Sequence, residues 1–169
     1  MIVPSERLHA WIEAERDAAL ERLFAFLRRP SIGTDPAHDA DTRACADWLA
    51  AELGALGFTA HAVPTAGQPA VLAHRPGPGS DAPHLLYYGH YDVQPVDPVR
   101  LWRHPPFEPT LEDGPHGERI VARGAVDDKG QVATFIEAFR AWIALTGTLP
   151  CRVSVLIEGE EESGSPSLD

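Results

Sequence analysis

Residues 151–165 read CRVSVLIEGEEESGS, an apolar run rich in β-branched side chains followed directly by acidic ones. The apolar part predicts a buried strand, because β-branched residues favour extended, packed backbone. The acidic residues that follow it are Glu158, Glu160, Glu161 and Glu162. Like charges so close together are unfavourable unless they are fully hydrated or a cation is present. From this stretch alone, a solvated acidic end and half of a cation site both remain open.

Two further clusters of polar side chains also follow predicted strands. GHYDVQP at 89–95 follows HLLYY at 84–88, and GAVDDKG at 124–130 follows RIVAR at 119–123. The carboxyl ends of strands are where α/β sheets build their sites, because rigid strands aim several side chains at one point. We therefore expect the three clusters to meet at one edge of a sheet.

The second and third clusters each have a structural alternative. His90 and Asp92 would share a face of extended backbone, where the carboxylate can accept a hydrogen bond from one ring nitrogen and leave the other free for a metal. A strand-end histidine beside an exposed aspartate is the simpler interpretation. Asp127 and Asp128 precede a predicted helix, where acidic residues commonly cap the N-terminus. If one of them does so, the other is free to bind a cation.

The remaining pattern indicates an α/β layered domain. Apolar residues at helical spacing predict helices at 8–27, 45–56 and 130–147. Pro30 ends the first helix, and Gly57 is suited to cap the second. Short apolar segments at 58–63 and 69–74 add strands to those already named. This order predicts a sheet with helices on both faces.

Composition restricts the partners and the location. The chain has 169 residues, 44% of them hydrophobic, and a net charge of -11, which argues against nucleic acid or an anionic membrane as the main partner. Cys45 and Cys151 lie among apolar neighbours without ligand-like spacing, which favours reduced, buried thiols over a disulfide. The N-terminal residues do not resemble a signal peptide, and no apolar run approaches the ~18 residues that span a bilayer. The expected location is the cytoplasm.

The three polar clusters suit metal-assisted hydrolysis better than nucleophilic catalysis. Zinc and similar cations take histidine nitrogen and carboxylate oxygen as ligands, and a further carboxylate can accept a proton from bound water. The sequence contains no G-x-S-x-G motif, no histidine close to either cysteine and no phosphate-binding loop.

Four ordered segments carry a resemblance to a known family. YYGHYDVQP, LWRHPPFEPTLEDG, ARGAVDDKG and IEGEEESGS together resemble the di-zinc exopeptidases and deacylases typified by carnosinase, glutamate carboxypeptidase, aminoacylase and succinyl-diaminopimelate desuccinylase. The resemblance implies a three-layer αβα catalytic domain of zinc-exopeptidase type that holds two zinc ions, with cobalt or manganese as alternatives. It also implies a cis peptide bond between Asp127 and Asp128.

The resemblance assigns roles residue by residue. His90 matches a ligand of the first metal, and Asp92 matches the catalytic-site carboxylate that orients that histidine. Asp127 matches the aspartate that bridges both metals. Glu161 matches the general base, and Glu162 matches a ligand of the second metal. Glu158 and Glu160 match no catalytic position and are expected to be acidic neighbours only.

The family pattern extends beyond what these 169 residues contain. Members have a later acidic ligand, an inserted lid domain and a late histidine, so residues 1–169 are expected to be the N-terminal portion of the catalytic domain, truncated, without the lid. The implied function is hydrolysis of a peptide or amide bond by metal-activated water, of dipeptidase or carboxypeptidase type, with weak or no activity from this portion alone. The alternatives are a non-catalytic remnant and an N-acyl amino acid deacylase.

The expected partners follow from the same interpretation. The substrate would be a small peptide or an N-acyl amino acid. An incomplete sheet would expose an edge and apolar surface, which predicts a homo-oligomer through that surface or association with a missing C-terminal half.

Overall fold

A computed structural model describes residues 3–79 and 81–168 of the chain. Its helices are α1 (Ser5–Leu27), α2 (Asp39–Ala55) and α3 (Lys129–Thr146), and its strands are β1 (Thr59–Val63), β2 (Ala70–Arg75), β3 (His84–His90), β4 (Thr110–Gly114), β5 (Gly117–Val121) and β6 (Arg152–Glu158). Every helix and strand that the sequence predicts is present, and β4 is an additional strand that it did not predict. Gly57 follows the end of α2 with a φ of 79°, the left-handed conformation that favours glycine at this position.

The main sheet has four strands in the order β1-β2-β6-β3. β2 pairs antiparallel with β1 and with β6, whereas β3 runs parallel to β6. The parallel pair matters for function because it places the carboxyl ends of β3 and β6 side by side, with His90 opposite Glu158.

The core lies between this sheet and the helices. Val71, Val153, Val155 and Ile157 are at most 2% exposed and alternate along their strands, so one face of the sheet is covered at its two central strands, β2 and β6. α2 packs on β1 and β2, α3 packs on β3, and α1 packs on α3.

The α/β class is confirmed, and among the described residues the helices cover one face of the sheet. The opposite face presents Leu72, Leu86 and Tyr88, which are 44%, 65% and 48% exposed. Of the two helix layers that a three-layer domain requires, this part of the chain therefore supplies one.

One strand lies outside the expected sheet. The segment RIVAR does form β5, but β5 pairs with β4 in a separate two-stranded hairpin. GAVDDKG therefore does not extend from the end of a main-sheet strand, as the sequence predicted, but from this hairpin into the start of α3. No helix in the described part of the chain is long and apolar enough to cross a membrane.

Candidate metal centre

The ends of β3 and β6 bring two of the predicted clusters together. Beyond the last ladder pair, the amide of Tyr91 donates to the carbonyl of Glu158 at 2.8 Å. Asp92 therefore lies directly beside the turn that follows β6, where a short 3-10 helix spans Glu161–Ser163.

His90 is held from both sides of its ring. Nδ1 lies 3.1 Å from the carbonyl oxygen of Asp92 and 3.3 Å from its Oδ1, and Nε2 lies 3.1 Å from Oδ1 of Asp127. Oε2 of Glu161 is 3.8 Å from the same Nε2. In the neutral ring, Nδ1 donates to Asp92 and the lone pair of Nε2 faces Asp127, which is the orientation that a metal-binding imidazole requires.

The surroundings of His90 favour positive charge. Burial lowers the pKa of the ring, but the hydrogen bond and charge of Asp92, with the charges of Asp128 and Glu161, outweigh burial and raise the pKa to about 9. The carboxylates that raise this pKa would also favour a bound cation.

Asp92 organises the site. Its side chain is fully buried, and its two carboxylate oxygens accept the backbone amides of Glu161 at 3.3 Å and Glu162 at 3.1 Å, in addition to the ring of His90. A buried carboxylate must be paired in this way, because an unpaired buried charge costs several kcal/mol. Asp92 thus joins the histidine to the two glutamates.

The third cluster reaches the site from the N-terminus of α3. The peptide bond between Asp127 and Asp128 is cis, as the resemblance predicted. The side chain of Asp127 is 68% exposed beside His90, whereas Oδ2 of Asp128 accepts the backbone amide of His90 at 3.2 Å. Burial raises the pKa of Asp128, although the hydrogen bond from His90 opposes that shift.

Lys129 anchors this segment to the rest of the fold. Its side chain is fully buried, and its ammonium donates to the carbonyls of Phe26 at 3.2 Å and Arg29 at 2.6 Å, at the end of α1. A cation is favourable at a helix C-terminus because unpaired carbonyls collect there. Burial lowers the pKa of Lys129 to about 8.

The two glutamates take different orientations. The side chain of Glu161, which is 44% exposed, faces His90, whereas Oε2 of Glu162 accepts a hydrogen bond from Nε2 of Gln94 at 2.7 Å. The structure therefore brings His90, Asp92, Asp127 and Glu161 together and turns Glu162 towards Gln94. Their assigned roles remain predictions.

The residues present fit part of a metal site. His90 and Asp127 offer a nitrogen and an oxygen donor that already face each other. Within the described ranges, no three His, Cys, Asp or Glu side chains are arranged so that they could hold an ion together. The donor chemistry suits a divalent cation, and the described ligand set is smaller than the three protein ligands of an ordinary catalytic zinc site.

Comparison with known proteins identifies the family. Residues 86–168, which contain all five site residues, match the family model described as Peptidase family M20/M25/M40. These residues belong to this family. The named relatives include a succinyl-diaminopimelate desuccinylase from Halorhodospira halophila, 34% identical over 152 residues, and the Cys-Gly metallodipeptidase DUG1 from Candida albicans, 32% identical over 179 residues.

The matches extend over nearly all of this chain but over only part of each relative. The desuccinylase match covers 90% of this chain and the dipeptidase match 99%, but each covers 36% of the relative. The crystal structure of human carnosine dipeptidase 1 has a TM-score of 0.84 and 29% identity over 96% of this chain and 36% of that one. The chain therefore spans about a third of the length of these M20/M25/M40 relatives.

Two acidic residues next to this site are buried, which the sequence did not indicate. Glu158 and Glu160 were expected to be acidic neighbours, yet they are only 3% and 7% exposed. Glu158 shares the open face of β6 with Ser154 and Leu156, so its position in the strand did not indicate that it is buried. No sequence pattern indicated that Glu160 is buried either.

Proposed function

We propose that the chain is the N-terminal portion of a metal-dependent hydrolase that cleaves a peptide or related amide bond, of the dipeptidase or carboxypeptidase type. The observation that carries this proposal is the bonding of Asp92, which fixes the ring of His90 and the amides of Glu161 and Glu162 together. The names of the M20/M25/M40 relatives, a dipeptidase and a desuccinylase, support the reaction class.

Each site residue has a separate role in the proposed reaction. His90 and Asp127 would hold zinc, or cobalt or manganese in its place, with Glu162 as a ligand of a second ion once its side chain leaves Gln94. A bound zinc ion supplies Lewis acidity and lowers the pKa of a bound water towards about 7. In the neutral ring, Asp92 would keep Nδ1 of His90 protonated and leave Nε2 available. Glu161 acts as the general base, because its carboxylate faces His90 and remains accessible to water.

A zinc titration by calorimetry tests the ligand assignment. We expect binding that is weaker than in a site with a full ligand set and that is lost in His90→Ala and in Asp127→Ala. His61→Ala is the matched control, since His61 is an exposed histidine on β1. Equal zinc affinity in wild type and His90→Ala would contradict the assignment, and no zinc binding by the wild type would favour the non-catalytic remnant.

Hydrolysis assays address the substrate class. A Cys-Gly dipeptide and an N-succinyl amino acid should be compared, with Glu161→Gln as the variant that keeps the side-chain size and removes the base. Turnover of the dipeptide that Glu161→Gln abolishes supports the peptidase. Turnover of the N-succinyl compound alone would support the deacylase instead.

We also propose that the open face and free edge of the sheet mediate self-association. β3 is an end strand, and Leu72, Leu86 and Tyr88 are exposed on the face that no described helix covers. A free strand edge beside apolar surface favours pairing with a second copy. Light scattering should show a dimer or larger assembly, and a monodisperse monomer at high concentration would contradict this.

A further inference from the structure

The carboxylate of Glu158 lies under the turn that carries the two site glutamates. Glu158 ends β6 and is 3% exposed. Its Oε1 accepts the hydroxyl of Tyr88, in a short hydrogen bond, and the hydroxyl of Ser165 at 2.8 Å. A buried carboxylate with two hydroxyl donors on one oxygen is a strong, charge-assisted contact.

Ser165 is the far end of that turn. Its φ is 54°, the left-handed region that non-glycine residues rarely adopt. Its amide donates to the carbonyl of Glu160 at 2.9 Å, and the amide of Gly164 donates to the carbonyl of Glu161 at 2.9 Å. The hydrogen bond from the hydroxyl of Ser165 to Glu158 therefore attaches this strained residue to the end of β6. The turn that the two amides close is attached with it.

Two buried carboxylates thus hold opposite ends of one turn. Asp92, after β3, accepts the amides of Glu161 and Glu162 at its start, and Glu158, on β6, accepts the hydroxyl of Ser165 at its end. Because Glu158 ends β6 and Asp92 lies two residues beyond the end of β3, which pairs with β6, the glutamates between them are fixed relative to His90.

We propose that Glu158 is a positioning residue that, through Ser165, holds the turn carrying Glu161 and Glu162 against the ends of β3 and β6. The inference deepens the proposed function, because the turn it fixes is the one that would supply the general base and a metal ligand. Glu158 itself touches neither His90 nor Asp127 in any described hydrogen bond.

Hydrogen exchange of individual amides tests this directly. In Glu158→Ala and Ser165→Ala, the amides of Glu161, Glu162 and Ser165 should exchange at least about tenfold faster, because the tie to β6 is lost. Glu158→Gln should rescue part of the protection, since its carbonyl oxygen can still accept both hydroxyls without the charge. Ser154→Ala is the matched control, because it removes hydrogen bonds from the same strand and none from the turn.

Zinc affinity is the second readout. A residue that orients ligands typically changes metal affinity by about 10–100-fold when lost, so Glu158→Ala and Ser165→Ala should weaken zinc binding by about tenfold and Ser154→Ala should not. Unchanged exchange at the turn in both variants would overturn the inference. Failure of the wild-type chain to bind zinc would count against the proposed function instead, because the exchange measurement needs no metal. If Glu158→Ala does not fold, Ser165→Ala and Glu158→Gln still decide the question.

Discussion

An Asp92→Asn substitution keeps the size of the buried side chain but removes its charge and one of its two acceptor oxygens. In the wild type, Oδ1 accepts the ring of His90 and the amide of Glu161, both at 3.3 Å, and Oδ2 accepts the amide of Glu162 at 3.1 Å. The asparagine NH2 group must therefore face at least one N–H donor, and that donor is left without an acceptor in a buried position.

The loss of one acceptor oxygen sets the size of the destabilisation. One buried donor without an acceptor costs about 1–3 kcal/mol of unfolding free energy, which urea unfolding followed by tryptophan fluorescence can measure. The turn would also loosen, so zinc affinity should fall by about 10–100-fold. Asp17→Asn is the control, because the side chain of Asp17 is 98% exposed and should change neither quantity.

The pKa of His90 provides the decisive assay. With Asp92 neutral, the hydrogen bond and the charge that raise the pKa of His90 most are lost while burial still lowers it, so the pKa should drop from about 9 towards its ordinary value of 6.5. Because folding raises this pKa, the protonated ring stabilises the wild type fully below pH 6.5, and that contribution is lost as the pH rises through about 9. The variant should lose most of this pH dependence. An NMR titration that still places the His90 pKa near 9 in Asp92→Asn would refute the reasoning.

Three further predictions follow from packing and exposure. Cys45 is fully buried, and burial raises the pKa of its thiol. A thiol reagent should therefore modify Cys151 first and reach Cys45 only on unfolding. Equal modification rates of the two cysteines in the folded chain would contradict the core packing. Gly33→Ala should destabilise the chain, because its Cβ would lie 2.6 Å from the carbonyl of Gly159, whereas Gly54→Ala in α2 meets nothing within 4 Å and should stabilise it by about 0.5–1 kcal/mol. The denaturant midpoint of unfolding should fall in Gly33→Ala and rise in Gly54→Ala. Leu86→Glu should reduce the self-association proposed above, as measured by light scattering, because Leu86 is 65% exposed on the open face.

Local pattern was sufficient to predict most of the fold. The helical spacing from Leu8 to Leu27 and the β-branched run before Glu158 each identify their elements, because burial of one face imposes a period on the sequence. The meeting of His90 and Asp92 with the glutamate turn was also predictable, since both follow strands of one sheet.

Long-range pairing was not predictable in the same way. RIVAR has the composition of a sheet strand, yet β5 pairs with β4, and nothing in its own residues specifies that partner. The uncovered face was equally hidden, because Leu72 and Leu86 have the apolar side chains expected on a face that helices cover. The burial of Glu158 was not predictable for a related reason, since one of its hydroxyl donors, Tyr88, is 70 residues away and the other, Ser165, lies beyond the turn.

The parallel pairing of β3 with β6 has a consequence for how the site comes into being. The two strands are joined through a hairpin and α3, so their contact is distant in sequence and carries a large loop-closure entropy. Until that contact forms, Asp92 has no turn to hold and His90 lacks its neighbours. A chain without this pairing would contain all five candidate site residues and still have no site. Under the proposed function, metal affinity would therefore report complete folding, and mutations that loosen only the β3–β6 pair would lower it while the helices remain intact.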